Sequence, residues 1–356
     1  MIYIYKCKGS ISAQNVDLTM AKNILLIAGG DSSEHDISVI SSRYVEEQLR
    51  KNSDFNVLSC VLHNNQFVLA DEAVGYFALK NTFVVQAKDG QSTSYVIDCA
   101  VPCLHGFPGE TGDIQALLEL HCVPYIGCRK EASLNCFNKV TTKLYFDALN
   151  IDNTPSTFIG DSSESSLKKA HEAFASFGGD VYVKAASQGS SIGCYHVTAE
   201  SELDKCLLEA LTLSELVLIE KTIEHRELEV AAYEYQGELF VTEPGEIVIP
   251  DDKFYTFDEK YSADSTSTTT VDVEGLTTLQ REVIASMAKR AFRGLNLRHL
   301  SRIDFFLSTD GQLYINEINT FPGMTPISMF QKLVEHAGVK MSDFLTDCVN
   351  LSLIHI

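Results

Sequence analysis

No run of apolar residues in this chain approaches the roughly 20 needed to cross a membrane as a helix. The opening Met1 to Lys6 is too short to be a signal-peptide core. Positive charge is scarce: 28 Lys and Arg stand against 48 Asp and Glu, for a net charge of −20. Extended nucleic-acid binding needs cations clustered against phosphate, so that class is disfavoured, and an anionic substrate would have to be held by local lysines against the global field. No C-x-x-C pair occurs among the ten cysteines; Cys99 and Cys103 have metal-like separation, but no second Cys/His pair completes a zinc pattern. The cysteines read as reduced, mostly buried residues of a cytoplasmic protein. What is present is an ordinary globular composition, 45% hydrophobic and 21% charged, over 356 residues, enough for two or three domains.

The most informative stretch runs from Arg302 to Asn319. Two runs of β-formers flank Asp310-Gly311, a signal for a two-residue hairpin turn in which both central residues take positive φ. That turn pairs Asp304 with Glu317 and Arg302 with Asn319, all four on one face of the ribbon. Facing carboxylates repel, so the arrangement needs a cation or a proton. Asp304, Glu317 and Asn319 together make a hard oxygen set suited to Mg²⁺. An isolated Asp/Glu pair would read as an acidic solvent face, but here the Pro/Gly-rich loop Thr320 to Pro326 follows directly, where irregular backbone can approach a ligand.

Upstream, the apolar run Asn23 to Ala28 ends in Gly29-Gly30 and leads into a helical pattern at Ile37, Ile40, Tyr44 and Leu49. A second strand is expected from Tyr95 to Leu104, followed by His105-Gly106 and a helix from about Asp113 to Cys122. Strands alternating with helices at glycine turns predict an open parallel sheet over roughly 20–130. Gly29-Gly30 lacks the spaced third glycine of a dinucleotide fingerprint. A second unit begins near Lys130. In it the strand Val181 to Lys184, the loop Ala185 to Gly193 and the strand Cys194 to Val197 offer backbone N–H groups, hydroxyls and the Lys184 cation, the components of a phosphate cradle. A third unit from about Thr222 holds a strand from Arg226 to Tyr235, a helix from about Leu276 to Leu295 and the acidic hairpin. The irregular span from Glu243 to Thr270, with Lys260-Tyr261 inside it, is long enough to read as a substrate-covering loop, with a disordered insertion over Ser262 to Thr269 as the alternative.

This assembly resembles the ATP-grasp enzymes, and within them the D-alanine–D-alanine ligases. The matching segments are Gly29 to Ser38, His105-Gly106 with Gly109-Glu110, Lys184 with Gly189 to Gly193, Glu259-Lys260-Tyr261, and Arg302 to Phe306 through Glu317 to Thr325, in the family's order. The resemblance implies an α/β ATP-grasp fold with an N-terminal Rossmann-like sheet domain: an extension over 1–21, a substrate domain over 22–130, a central lid domain over 131–221 and a C-terminal domain over 222–356. Met20 offers an alternative start.

The implied activity is ATP-dependent ligation of two D-alanines through an acyl phosphate, for peptidoglycan synthesis. On that reading Lys139, Lys184 and Lys260 contact ATP phosphates, Glu220, Lys221 and Ile223 lie beside adenine, and Glu227 reaches the ribose. The loop holding Gly189 and Ser191 closes over the γ-phosphate. Asp304, Glu317 and Asn319 hold two Mg²⁺ (or Mn²⁺). Glu34 binds the first substrate's ammonium and groups with Ser190 and Tyr261; His105 lies near this subsite. Arg302 and the Gly323 N–H stabilise the tetrahedral oxyanion, and Ser328 and the Met329 N–H receive the second carboxylate. A homodimer is implied; nucleic acid and membrane are not partners.

The chain departs from the family pattern at Ala185, Thr111 and Leu297 to Leu300, none of them an implied ligand. D-Serine or D-lactate as second substrate is the nearest alternative, and Tyr261 favours the dipeptide over D-lactate. A non-catalytic nucleotide-binding module would lack a metal ligand or phosphate lysine, and all are present. A nicotinamide oxidoreductase lacks its fingerprint.

Overall fold

A computed structural model describes residues 21–248 and 268–354. All but the last residue of the expected extension, together with Lys260, Tyr261 and the centre of the expected covering loop, lie outside the described residues.

Three sheets organise the described residues. The first contains β1 (Lys22–Gly29), β2 (Phe55–His63), β3 (Gln66–Val68), β4 (Val74–Phe77), β5 (Thr82–Gln86), β6 (Ser92–Val96) and β7 (Cys99–Pro102), in the order β6-β5-β4-β3-β2-β1-β7. β1 lies between β2 and β7, parallel to both, and is buried from Ile24 to Gly29, as its unbroken apolar run requires. The parallel part is confined to these three strands; β2 to β6 continue as an antiparallel meander. The strand expected from Tyr95 to Leu104 is two strands at opposite ends of this order, joined by Ile97-Asp98 alone. Two residues span only about 7 Å, so the sheet curls until its edges lie close. Apolar residues on both sides of Asp98 concealed the break.

Gly29 takes φ 88°, and a Cβ there would sit 2.6 Å from the Leu62 carbonyl oxygen. The chain leaves the sheet at this point. Its N–H donates to Ser38 Oγ at 2.7 Å, and the Ser38 hydroxyl donates to the Cys103 carbonyl at 2.5 Å, docking the helix His35–Leu49 onto the sheet.

The second sheet has the order β10-β9-β11-β8, from β8 (Ser156–Ile159), β9 (Val181–Ala185), β10 (Cys194–Val197) and β11 (Val217–Lys221). The third is built on β12 (His225–Tyr235), with β13 (Glu238–Val241), β14 (Gly245–Val248), β15 (Thr268–Thr270), β16 (Leu300–Ser308) and β17 (Leu313–Asn319). β14 and β15 pair antiparallel, Glu246 opposite Thr270, so both ends of the expected irregular span are strands of this sheet. The helix Thr278–Gly294 starts at a capping box between Thr277 and Gln280 and packs Ile284, Met287, Ala288 and Phe292 into a core shared with Leu228, Phe305 and Ile315. That core fixes the floor from which the acidic hairpin projects.

Candidate active site

The hairpin pairs Arg302 with Asn319 and Asp304 with Glu317, as the sequence predicts, but through different turn chemistry. Only Gly311 takes positive φ, and the Gly311 N–H donates to the Ser308 carbonyl at 2.9 Å. The loop is therefore three residues, Thr309 to Gly311, with a bulge at Asn316 that restores the expected pairing. The two departures cancel. The bulge also turns Asn316 into a cavity that alternation alone would not have given it.

The facing carboxylates are compensated by side chains. Arg302 donates from Nε and Nη2 to the two oxygens of Asp304, both at 2.8 Å, and its Nε lies 3.1 Å from Glu229 Oε1. Burial works against the guanidinium charge, but Asp304 and Glu229 outweigh it and hold the pKa above its ordinary value. Glu317 faces Lys139 Nζ at 3.8 Å. Asp304 is buried behind Arg302, while Glu317 and Asn319 open onto the cavities. The oxygens of Asp304, Glu317 and Asn319 fit Mg²⁺ by chemistry, with the Asn319 amide as third donor; it now donates to Asp304 Oδ2 at 3.0 Å. Among the described residues no three His, Cys, Asp or Glu side chains form such a set.

Lys184, on β9, reaches Glu220 Oε1 on β11 at 3.2 Å. Burial lowers its pKa and Glu220 more than restores it, for a net rise. Lys139 donates to the Gln188 carbonyl at 2.7 Å, tying the glycine/serine loop to a helix N-terminus. In that loop Ser190 and Ser191 hold φ of 50° and 62°. The Ser190 hydroxyl donates to Glu34 Oε1 at 2.5 Å, across 156 residues of sequence. The loop thus rests against the first sheet's glycine turn.

His105 is buried and in contact with the helix His35–Leu49: its Nε2 is 3.2 Å from Ser41 Oγ, which accepts from the Met324 N–H at 3.2 Å. Burial pulls the His105 pKa down and so favours the neutral ring, which shares one hydrogen bond with the Ser41 hydroxyl. Ser41 thereby joins His105 to the residue beside Gly323. Ser328 Oγ accepts from the Thr325 N–H at 3.0 Å, closing the loop that carries Gly323.

Glu110 sits between these groups, its Oε2 accepting from the Gly106 N–H at 2.9 Å. Burial first, then the Glu34 charge, push its pKa from 4.5 to about 8. A carboxyl raised in the folded state keeps a proton that the unfolded chain releases, so its contribution falls as pH rises between these values. Glu110→Gln removes that difference. Its melting temperature should gain on wild type as pH rises from about 5 to about 8.5; parallel profiles would place the titration elsewhere.

Two adjoining cavities, of about 300 and 550 Å³, share Lys139, Gln188, Ser190, Glu227 and Glu317. The smaller also takes Lys184, Ser191, Glu220, Lys221 and Ile223; the larger takes Glu34, His105, Gly189, Arg302, Asn319, Gly323, Ser328 and Met329. Every described residue expected at the site except Asp304 borders one of them. Sequence reading missed Lys143, Ser41, Glu229, His225 and Phe306. The rings of the last two meet at a tilt of 36°, with centroids 3.7 Å apart, in the smaller cavity. Lys143, four residues beyond Lys139 on one helix, carried the clearest available signal.

Residues 23–128 match the family described as D-ala D-ala ligase N-terminus, and residues 149–350 match D-ala D-ala ligase C-terminus. The chain is 51% identical to a D-alanine–D-alanine ligase from Vibrio atlanticus over 93% of its own length and 98% of the relative's. A crystal structure of D-alanyl-alanine synthetase A from Vibrio cholerae superposes with a TM-score of 0.88 at 47% identity, over 94% of this chain and 99% of that one. A D-alanine–D-alanine ligase structure from Aeromonas hydrophila gives 0.77 at 41% identity, covering 91% of this chain and 99% of that one. Full-length similarity of this order, across both family segments, carries the ATP-grasp fold with it: the chain belongs to the D-alanine–D-alanine ligase family.

Proposed function

We propose that the two cavities hold ATP and two D-alanines at adjoining positions, and that the residues shared between them are where phosphate passes from nucleotide to substrate. The protein is an ATP-dependent ligase that makes D-alanyl-D-alanine. The observation that carries the site reading is the shared wall: Lys139, Ser190 and Glu317 border both spaces, so a γ-phosphate beside them faces a carboxylate in the larger one.

In this reading Lys184 and Lys139 bind the phosphates, with Lys260 as a further contact. Adenine lies along Glu220, Lys221 and Ile223, and Glu227 holds the ribose. Asp304, Glu317 and Asn319 are the residues that would hold two Mg²⁺ (or Mn²⁺) ions, whose chemistry when bound is to neutralise charge on the transferred phosphoryl group.

Glu34 takes the first D-alanine's ammonium, orienting its carboxylate toward the γ-phosphate. That carboxylate attacks phosphorus, ADP leaves, and an acyl phosphate forms. The second D-alanine, its carboxylate on Ser328 and the Met329 N–H, then attacks the acyl carbon through its amine. Arg302 and the Gly323 N–H hold the tetrahedral oxyanion, the amine loses its proton, and phosphate departs. Tyr261 would complete the group of Glu34 and Ser190. The domain division at 22–130, 131–221 and 222–356, a homodimer and a cytoplasmic setting belong to the same reading.

Phosphate release on mixing enzyme, ATP, Mg²⁺ and D-alanine, with the dipeptide identified by mass spectrometry, tests the assignment. No release would overturn it, and faster product formation with D-serine or D-lactate would change the second substrate. Gly189→Ala probes loop closure: its Cβ would lie 2.8 Å from Glu34 Oε2 and push the loop away. A fall of about 10²-fold in kcat/KM for D-alanine is expected, with the melting temperature retained. Unchanged kinetics would remove the loop from closure.

A further inference from the structure

The helix Lys139–Ala148 presents two lysines one turn apart, and only the first borders a cavity. Lys143 lies behind the nucleotide cavity wall. Its buried ammonium donates to the Thr154 carbonyl at 2.9 Å and to Asn153 Oδ1 at 3.2 Å, and lies 3.4 Å from Glu220 Oε2. The other oxygen of Glu220 meets Lys184 Nζ at 3.2 Å. One buried carboxylate is thus gripped between two ammonium groups, one facing the cavity and one facing away.

The charges of this row sum to +1. Were Glu220 paired with Lys184 alone, the pair would be neutral, and a buried carboxylate would draw the only ammonium within reach toward itself. The third charge changes this. Lys143 holds one oxygen from behind, fixed in turn by Thr154 and Asn153 at the start of the second sheet, and so leaves positive charge at Lys184 for a nucleotide phosphate. The titration pattern agrees: burial raises Glu220, yet Lys143 first and Lys184 second hold it below its ordinary carboxylate range, while burial lowers Lys143 itself.

We propose that Lys143 is a positioning residue for nucleotide binding: by sharing Glu220 it keeps the Lys184 ammonium available to the phosphates. This rests on the reading of Lys184 as a phosphate contact. A purely structural Lys143, tying its helix to residues 153–154, would weaken every nucleotide alike; a charge-sharing Lys143 acts in proportion to phosphate charge.

Affinities of adenosine, ADP and ATP are to be measured by calorimetry or competition for wild type, Lys143→Met, Lys143→Arg and Lys184→Met. Lys143→Met should weaken ADP and ATP by about tenfold while leaving adenosine within about twofold, and Lys143→Arg, which keeps the charge, should restore most of the loss. Equal losses for adenosine and ATP, or no loss for ATP, would overturn the proposal. Lys184→Met tests the underlying reading separately: if it leaves ATP affinity unchanged, Lys184 is not a phosphate contact. Should Lys143→Met fail to fold, Lys143→Gln, which removes the charge but keeps a polar donor on the side chain, supports the same comparison.

Discussion

Glu317→Gln should lose turnover by about 10²- to 10³-fold while its apo melting temperature stays at or above that of wild type. Glu317 stands opposite Asp304 in the hairpin, borders both cavities and faces Lys139. The amide preserves volume and hydrogen bonding but removes one negative charge from a crowded acidic region. Repulsion with Asp304 and with Glu110 is therefore relieved in the empty protein. The same missing charge weakens any divalent cation at the site and leaves the developing phosphoryl charge less compensated. Phosphate release at saturating ATP and Mg²⁺, with thermal unfolding in EDTA, separates the two effects. Near-wild-type turnover would remove Glu317 from the metal set.

Arg302→Met should be costly to stability as well as activity. Its guanidinium bonds both oxygens of Asp304 and lies against Glu229, and both carboxylates are buried. Removing one partner from a buried ionic group leaves charge that the interior cannot solvate, a loss of about 3–5 kcal/mol. Turnover falls with it, since the group placed at the oxyanion is gone. Arg302→Lys keeps the charge but not the two-pronged geometry and should fall between. Urea unfolding of all three proteins checks this. If Arg302→Met is as stable as wild type, the carboxylates have other compensation, and the ionic account of the hairpin fails.

Much of the site was legible because its key relations are local. A hairpin pairs residues by turn and alternation, so Asp304 meets Glu317 even though a three-residue loop and a bulge replace the expected turn. A lysine ending one strand before a Gly/Ser loop identified Lys184 for the same reason: chemistry and spacing lie within a dozen residues.

The sequence by itself determined many of the elements, the acidic pair and the order of motifs that marks the family. Only the tertiary structure decided what each charge faces. The Ser190 bond to Glu34, the Ser41 link between His105 and Met324, the compensation of Asp304 and Glu229 by Arg302 and the division of Glu220 between Lys143 and Lys184 mostly join different strands, helices or loops. Hydrophobic period and turn chemistry specify backbone, which is encoded nearby. Coulombic partners are set by distance in space, and no local pattern carries it.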